Sequence, residues 1–289
     1  MFSAVSVQMN AGFYLILIPR GPPFRRSRKR FLTVLRPGII ISSHRILASV
    51  QVSEDEYKRI TTPAPEQDVK YLFFPGCNVY RQPEIILNAL DIMTTIGDPY
   101  PFLPGLDYCC GDNHLFFGRQ EEGSCVADEF IAKAARYNPE AVILWCPTCH
   151  CRFNTVISPS TDVPFRIMSF PQYLSKNMKK LPLADAAQGK TLTLHDPCKS
   201  AYTGADQMVT VCHYCNQTFA SKERNYNFEV VNYVNLVAES MGIYREDKFK
   251  RYAQWNDLEL ILKDIGSNIE HLPFGKEKML KTLRSEFIQ

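Results

Sequence analysis

The stretch that decides the fold reads AVILWCPTC over residues 141–149. A short apolar run that stops at a Cys-x-x-Cys pair is typical of a buried strand followed by a ligand-bearing turn. Four predicted strands of this chain are followed directly by a cysteine motif. These strands and the cysteines that follow them are Lys70–Phe74 with Cys77, Ala141–Trp145 with Cys146, Thr191–His195 with Cys198, and Gln207–Val211 with Cys212.

Apolar side chains recur at helical spacing between and after these strands, over residues 83–93, 120–137 and 230–241. Strands that alternate with helices predict an α/β fold with short, mainly parallel sheets. In such a fold, ligands bind beyond the carboxyl ends of the strands, where helix N-termini direct their amide groups. We therefore expect the strand-end cysteines to lie at the ligand-binding edge of the sheet.

Five cysteines have a spacing that predicts one metal site. Cys77 is followed by 31 residues and the adjacent pair Cys109 and Cys110, and then by 35 residues and the pair Cys146 and Cys149. Thiolates are soft ligands that suit iron–sulfur clusters and zinc. An all-thiolate zinc site needs only four ligands, so the fifth cysteine favours an iron–sulfur cluster.

These motifs resemble the cysteine-rich CCG domain of heterodisulfide reductase subunits B and D, and related subunits of lactate, glycolate and glycerol-3-phosphate oxidation. The resemblance covers about residues 69–243. It implies that the five cysteines hold a [4Fe-4S] cluster, non-cubane in that family, and carry both substrate binding and electron transfer. Because some members hold zinc in one motif, zinc is the alternative cofactor. The matching motifs are Phe74-Pro-Gly-Cys77, Cys109-Cys110-Gly111, Cys146-Pro-Thr-Cys149 and His195-Asp-Pro-Cys198.

The function that the resemblance implies is that of an iron–sulfur oxidoreductase subunit that transfers electrons and reduces a disulfide. The alternatives are an electron-transfer subunit of a flavin-linked hydroxy-acid dehydrogenase and a zinc-binding, non-catalytic partner module. The chain contains no dinucleotide-binding loop, no Walker sequence and no ferredoxin-type cysteine run. We therefore expect an iron–sulfur or flavin partner subunit as the electron donor, and a small-molecule disulfide or redox carrier as the other reactant.

The family carries the five-cysteine motif twice, and the second copy in this chain is incomplete. Cys198 and Cys212 are separated by 13 residues with no adjacent cysteine pair, against 68 residues between Cys77 and Cys146. A parallel crossover needs about a dozen residues for the connection alone. The comparison predicts the loss of a block of roughly fifty residues from a second repeat. We predict a weaker second metal site at Cys198, Cys212 and Cys215, with His195 or His213 as a further ligand.

The predicted organisation has four parts. Residues 1–68 are a basic, poorly ordered extension and linker, residues 69–188 are the first cysteine-rich unit, residues 189–245 are the truncated second unit, and residues 246–289 are a helical segment. The net charge is +3, but residues 1–50 contain eight Lys and Arg and no Asp or Glu. Because the basic run Arg25–Arg30 contains no interleaved aromatic residue, we expect no nucleic-acid partner.

The remaining features concern the compartment and the other thiols. The apolar run over residues 11–18 is shorter than the roughly 20 residues that a membrane span needs, and it has no flanks of a secretory signal. The cysteines form clusters that suit metal binding, so a reducing cytoplasm is expected. Within the predicted helix over residues 120–137, Cys125 is interpreted as a plain buried thiol, and Cys151 as a spare or redox-active thiol.

Overall fold

The computed structural model describes residues 37–183, 192–194, 207–221, 223–225, 228–266 and 274–288. These residues contain two three-stranded parallel sheets, in the order β1-β2-β3 and β4-β5-β6. The predicted α/β class with short parallel sheets is confirmed. The strands are β1 Tyr71–Phe74, β2 Ala141–Leu144, β3 Arg166–Ser169, β4 Leu192–Leu194, β5 Gln207–Thr210 and β6 Glu229–Asn232.

Helices connect and flank the strands of both sheets. A π-helical segment at Phe153–Ile157 joins two of them, α6 and α7, into one continuous stretch. The helices are α1 Pro37–Gln51, α2 Glu54–Thr61, α3 Pro83–Ile96, α4 Asp112–Phe116, α5 Gln120–Ala135, α6 Pro147–Arg152, α7 Ser158–Ser160, α8 Phe170–Asn177, α9 His213–Ala220, α10 Tyr233–Ser240, α11 Lys248–Trp255, α12 Leu258–Ile265 and α13 Lys276–Phe287.

The first sheet is the centre of the main core. The central strand β2 is buried at all four positions, as its uninterrupted apolar sequence predicts for a parallel strand covered on both faces. Phe74 of β1 packs its ring against Phe130 of α5, with centroids 4.5 Å apart. The edge strand β3 was not predicted from the sequence. It is partly exposed and contains Arg166 and Ser169, so it lacks the apolar run that identifies the other two strands.

The second sheet repeats the strand order of the first. Its last strand corrects the predicted helix over residues 230–241, because Glu229–Asn232 is a strand and α10 begins only at Tyr233. Asn232 separates the two elements, since its side-chain oxygen accepts a hydrogen bond from the backbone N–H of Val234 and caps the helix. The connection between β4 and β5, where the sequence predicts a lost block, lies outside the described residues.

The predicted extension and linker contain two helices, so the organised fold begins at least as early as Pro37. From His44 onward, α1 is largely buried. Its Leu47 packs in a second small core with α11, α12 and α13, while Ala48 belongs to the main core. The prediction of a poorly ordered segment is wrong here because Pro37 occupies the first helical position, where proline is compatible with a helix. Residues 1–36 lie outside the described part.

Among the described residues, no helix combines the length and the apolar character needed to cross a membrane.

Candidate metal centre

The first and second strands of the main sheet both end at cysteines. Cys77 follows β1 after Pro75 and Gly76, and Cys146 is the residue before the first turn of α6. Gly76 has a φ of +87°, and a Cβ atom at this position would lie 2.7 Å from Cys146 Cβ. Only glycine therefore allows the end of β1 to approach the Cys-x-x-Cys turn so closely.

The adjacent pair, Cys109 and Cys110, lies in the loop before α4. Gly111 ends this loop with a φ of +78°, and a Cβ atom there would lie 2.0 Å from the carbonyl oxygen of Gly123 in α5. The backbone of Gly105 approaches that of Gly76 in a similar way, since a Cβ atom at residue 105 would lie 2.0 Å from the Gly76 carbonyl oxygen. The loops that carry the cysteines are thus held by close contacts of the main chain.

The structure brings the five predicted cysteines together in a continuous series of side-chain contacts. Cys77 Sγ lies 3.6 Å from Cys109 Sγ. Cys109 interacts in turn with Cys110, Cys110 with Cys149, and Cys149 with Cys146. Cys77 and Cys109 are half-buried, whereas the other three cysteines are buried. The site is therefore largely shielded from water and open at the end formed by Cys77 and Cys109.

The five thiols fall into two groups by the direction of their pKa shifts: the pKa is lowered at Cys109 and Cys146 and raised at the other three. The pKa of Cys109 is well below its usual range because the thiols of Cys110 and Cys77 donate hydrogen bonds to it. The pKa of Cys146 is lowered chiefly by a hydrogen bond from Cys149. Hydrogen bonding to these neighbours, together with burial, raises the pKa of Cys77, Cys110 and Cys149. Two thiolates are thus stabilised in a setting that accommodates soft, positively charged metal ions.

The donor chemistry of this cluster fits an iron–sulfur group or zinc. The side chains contact one another in series, and within the described ranges no three or more His, Cys, Asp or Glu side chains are already spaced as a ligand set. Five soft sulfur donors are nevertheless in one place. The residues present therefore suit such a group in kind, with the sulfurs of Cys77, Cys109, Cys110, Cys146 and Cys149 available to hold it.

A buried arginine supports the loop that carries the adjacent cysteines. Arg152 Nε donates a hydrogen bond to the carbonyl oxygen of Cys110, and the residue is 4% exposed. Burial raises the pKa of the nearby Asp112, and the charge of Arg152 opposes this rise. The sequence analysis did not single out Arg152. The sequence shows that Arg152 follows Cys149 by three residues, but only the fold shows that its side chain is buried.

Two buried histidines and a tryptophan lie beside the cluster. The ring of Trp145 lies 5.7 Å from that of His213, and burial lowers the pKa of His213 and of His44 to about 3, with Arg81 contributing. Among the described residues, Nδ1 of both histidines and Nε1 of Trp145 have no hydrogen-bond partner. The sequence could not indicate His44, because its segment was predicted to be an extension.

The second predicted site is only partly described. Cys212 precedes α9 and Cys215 lies in its first turn, and both are half-buried. The pKa of Cys212 is lowered to about 6, mainly by a hydrogen bond from the Cys215 thiol and also by backbone N–H groups. Cys212 is close enough to Cys146 to raise the pKa of that thiol. Cys198 and His195 lie outside the described residues, so a three-cysteine metal site stays a prediction.

The two remaining described thiols are on the surface. Cys125 of α5 is exposed, so its interpretation as a buried thiol is wrong. It occupies the solvent face of an amphipathic helix whose opposite face carries Phe130 into the core. Cys151 of α6 is also exposed, whereas Cys149 two residues earlier is buried. Neither surface thiol belongs to the buried series of sulfurs.

Comparison with known families agrees with this geometry. Residues 71–154 match the cysteine-rich domain family CCG. The match begins with β1 and ends within the π-helical segment after α6, so it includes all five clustered cysteines. A search among curated proteins found no match for the chain. Clustered cysteines in a CCG-type domain indicate a module of redox or iron–sulfur type, and such domains are typical of proteins related to oxidoreductases.

Proposed function

We propose that the protein is an iron–sulfur oxidoreductase subunit similar to heterodisulfide reductase subunits B and D. The observation that supports this function most directly is the continuous series of five sulfurs from Cys77 to Cys146, at the carboxyl ends of β1 and β2. A [4Fe-4S] cluster bound there would store and pass on single electrons. The number of sulfur donors exceeds what a tetrahedral zinc site uses, which favours iron–sulfur.

The protein's own side chains have separable roles in this proposal. The five cysteines hold the group, and Arg152 fixes the loop of the adjacent pair through the carbonyl oxygen of Cys110. Phe74 and Trp145, which are 0% and 2% exposed, exclude water from the buried side. A dry, apolar surrounding tunes the potential of a metal site and limits solvent access to it. The half-buried Cys77 and Cys109 leave one side through which a reactant can approach.

The reaction partners are proposed from the chemistry that such a site supports. A small-molecule disulfide or redox carrier is the reactant, and an electron-donating iron–sulfur or flavin subunit supplies the electrons. A flavin-linked hydroxy-acid dehydrogenase is one such setting. The sequence supports a partner subunit because it contains no nucleotide-binding motif and no ferredoxin run of its own.

A zinc-binding, non-catalytic partner module is the second candidate. It is favoured by the short sequence between Cys198 and Cys212, which contains no adjacent cysteine pair. A second full cluster site would need such a pair, and without one the chain offers a single complete set of thiols. A structural zinc site requires only four of the five clustered cysteine thiols.

Metal analysis of anaerobically purified protein separates the two candidates. We expect a brown protein with about four iron atoms per chain, as one [4Fe-4S] cluster requires, and matching acid-labile sulfide. The reduced or oxidised protein should give an electron paramagnetic resonance signal. A colourless protein with one zinc ion per chain and no sulfide would contradict the iron–sulfur function and support the zinc module.

A pair of matched variants tests the ligand assignment. We expect Cys110→Ser to remove or reshape the resonance signal and to reduce bound iron, because it deletes a buried sulfur in the middle of the series. Cys125→Ser changes an exposed thiol of α5 and should leave both measurements unaltered. An unchanged spectrum in Cys110→Ser would exclude that residue as a ligand.

A further inference from the structure

Arg152 is a cation in the interior of the fold. Among the arginines and lysines that the structure describes, it alone is buried, with 4% of its surface exposed. It is the last residue of α6 and lies one helical turn after the buried Cys149. Residues three apart share a face of a helix, so the arginine and this cysteine point to the same side of α6.

The fold fixes the position of this arginine. Phe153, the next residue, is fully buried, and its ring lies 5.4 Å from the ring of Phe130 in α5. Arg152 Nε donates a hydrogen bond to the carbonyl oxygen of Cys110, the third residue in the series of five cysteines. Long cationic side chains usually extend their charged ends into water. Here the charged end is instead held against the main chain of a clustered cysteine.

No carboxylate of the described residues neutralises this charge. Arg245, which is partly buried, binds the carboxylate of Asp91. Arg152 forms no such ion pair within the described ranges, and its Nη1 has no hydrogen-bond partner there. A guanidinium group stays protonated in proteins, so it cannot avoid burial of its charge by losing a proton. An unpaired buried charge is costly, because neither water nor an opposite charge offsets its desolvation.

A metal group on the clustered cysteines would supply the missing negative charge. Four or more thiolates outweigh the positive charge of a zinc ion or of an oxidised [4Fe-4S] core, so the loaded site is an anion. Arg152 is bonded to the main chain of one of the five cysteines and is therefore beside that anion. Its charge is unpaired in the metal-free chain and paired in the loaded one.

We propose that Arg152 is the charge-compensating residue of the metal centre, where it stabilises the bound anionic group and raises its reduction potential. The inference rests on the proposed binding of a metal–thiolate group, but not on whether that group contains iron or zinc. A nearby positive charge favours the state with one more electron. At an effective dielectric constant of about 20, a unit charge acting over about 10 Å changes an equilibrium constant by more than tenfold.

Two replacements of Arg152 separate its charge from its hydrogen bond. Arg152→Gln and Arg152→Lys both keep a donor for the carbonyl oxygen of Cys110, but only lysine keeps the charge. Arg136→Gln is the control for the loss of a surface charge, because that side chain is 64% exposed. Each variant is prepared anaerobically as the whole 289-residue chain. The iron, zinc and sulfide content of the unaltered protein is measured first, since it tests the proposed function by itself.

The midpoint potential of the cluster reports the charge directly. We expect Arg152→Gln to lower it by at least about 59 mV, which corresponds to a tenfold change in the equilibrium constant of a one-electron couple. Arg152→Lys and Arg136→Gln should stay close to the value of the unaltered protein. A redox titration followed by electron paramagnetic resonance measures all four potentials.

Metal release to an excess of chelator is the second measurement, and it applies to bound zinc as well as to iron. We expect Arg152→Gln to release metal at least about tenfold faster than Arg152→Lys, because the anionic group has lost its counter-charge. Arg136→Gln should release metal at the rate of the unaltered protein.

Metal-free protein shows whether the arginine has only a structural role. Because Arg152→Gln removes a buried charge that is unpaired in this form, its midpoint of urea unfolding should be no lower than that of the unaltered metal-free protein. In the metal-loaded form the same variant should unfold at a lower urea concentration than the unaltered protein. Equal destabilisation of both forms would indicate a structural role and would overturn the proposal.

Two further outcomes would overturn it. One is a potential and a release rate in Arg152→Gln that equal those of the unaltered protein. The other is an equal change in Arg152→Gln and Arg152→Lys, which would assign the effect to the shape of the side chain rather than to its charge. A zinc-loaded protein would contradict the iron–sulfur function and still permit the release test, whereas an iron-loaded protein indifferent to Arg152→Gln would contradict only this inference. Absence of any bound metal would contradict both.

Discussion

Gly76 determines how closely the end of β1 approaches Cys146. We expect Gly76→Ala to lower the free energy of unfolding by about 2 kcal/mol or more. Alanine disfavours the φ of +87°, and its Cβ atom would lie 2.7 Å from Cys146 Cβ. Urea unfolding of the metal-free protein measures the loss, and bound iron or zinc should decrease in parallel because Cys146 must shift.

Gly97 provides a matched control for this substitution. It has a φ of +81°, but a Cβ atom there would meet nothing within 4 Å. Gly97→Ala should therefore lower the free energy of unfolding only by the cost of the unfavourable backbone conformation, about 1 kcal/mol, and should leave metal content unchanged. Equal destabilisation by the two variants would contradict the importance of the contact with Cys146.

At the residue scale, the sequence indicated which five cysteines lie together but not which residues surround them. Cys77 and Cys146 could be placed because each directly follows an apolar strand, and parallel strands end at the same edge of a sheet. His44 and Arg152 could not, because their burial beside the cluster depends on packing between segments distant in sequence. The glycine contacts are likewise tertiary, although Gly76 and Gly111 stand next to cysteines in the sequence.

At the element scale, helix α1 is a structural part of the fold. We expect Leu47→Ala to lower the free energy of unfolding by about 2 to 5 kcal/mol, as for other buried leucines. The side chain is 1% exposed and packs in the small core with α11, α12 and α13. Chemical denaturation measures the change.

A leucine in one of those partner helices serves as the control. Leu260 of α12 is 46% exposed, so Leu260→Ala should change the stability by less than about 0.5 kcal/mol. If Leu47→Ala changed the stability as little as Leu260→Ala, α1 would not be packed against these helices in solution. The segment would then behave as the linker that the sequence predicted.

The elements that the sequence predicted share a strong local signal. Strands β1 and β2 are continuous apolar runs, and α3 has a proline at its first position and a glycine after its last. By contrast, β3 and β6 have polar residues at both ends, so neither forms a continuous apolar run. Helix α1 was missed because prolines in the preceding segment suggested irregular structure.

At the scale of the whole molecule, a cluster of polar side chains joins α3, the second sheet with its helix α9, and α11. Glu84 of α3 is 4% exposed, and burial followed by the charge of Asp247 raises its pKa well above the usual range. Asp247 accepts hydrogen bonds from Gln82 and from Asn216 of α9. Lys250 of α11 reaches the carbonyl oxygen of Val230 in β6. Helix α3, the second sheet with α9, and α11 therefore meet at the carboxyl groups of Glu84 and Asp247, which repel each other when both are ionised.

This polar cluster predicts a pH dependence of stability that a single substitution removes. A carboxyl group whose pKa is raised by folding favours the folded state at low pH, and this contribution is lost as the pH rises through the folded-state pKa. Glu84→Gln should therefore stabilise the protein above about pH 4.5, by up to about 1.4 kcal/mol per pH unit, until the folded-state pKa is reached. Urea unfolding from about pH 5 to about pH 8, above the ordinary pKa of a glutamate, measures the difference.

Glu121 of α5 is a control in the same helical position. Like Glu84 it is the second residue of its helix, but it is exposed. Glu121→Gln should cost a few tenths of a kcal/mol through the helix dipole and should add no stability at high pH. If the stability of Glu84→Gln relative to the wild-type protein fell as the pH rose, this would contradict the buried, protonated state of the Glu84 carboxyl group.

The large-scale organisation was only partly readable from the sequence. Two strand-and-helix repeats predicted two parallel sheets, which the structure contains on either side of the predicted boundary between the units. The polar cluster and the small core were not predictable, because each joins residues more than a hundred positions apart, such as Gln82 with Asp247. Hydrophobic periodicity describes one element at a time and contains no information on such pairings.

The close approach of Gly111 to Gly123 has a consequence for the assembly of the proposed metal centre. Because main-chain contact anchors the loop of Cys109 and Cys110 to α5, we expect its position to persist in metal-free protein. Amide hydrogen exchange should show similar protection of residues 111–123 with and without metal, and a large loss of protection would contradict this. If the protein binds a cluster as proposed, a lost cluster could then be replaced without refolding of this loop.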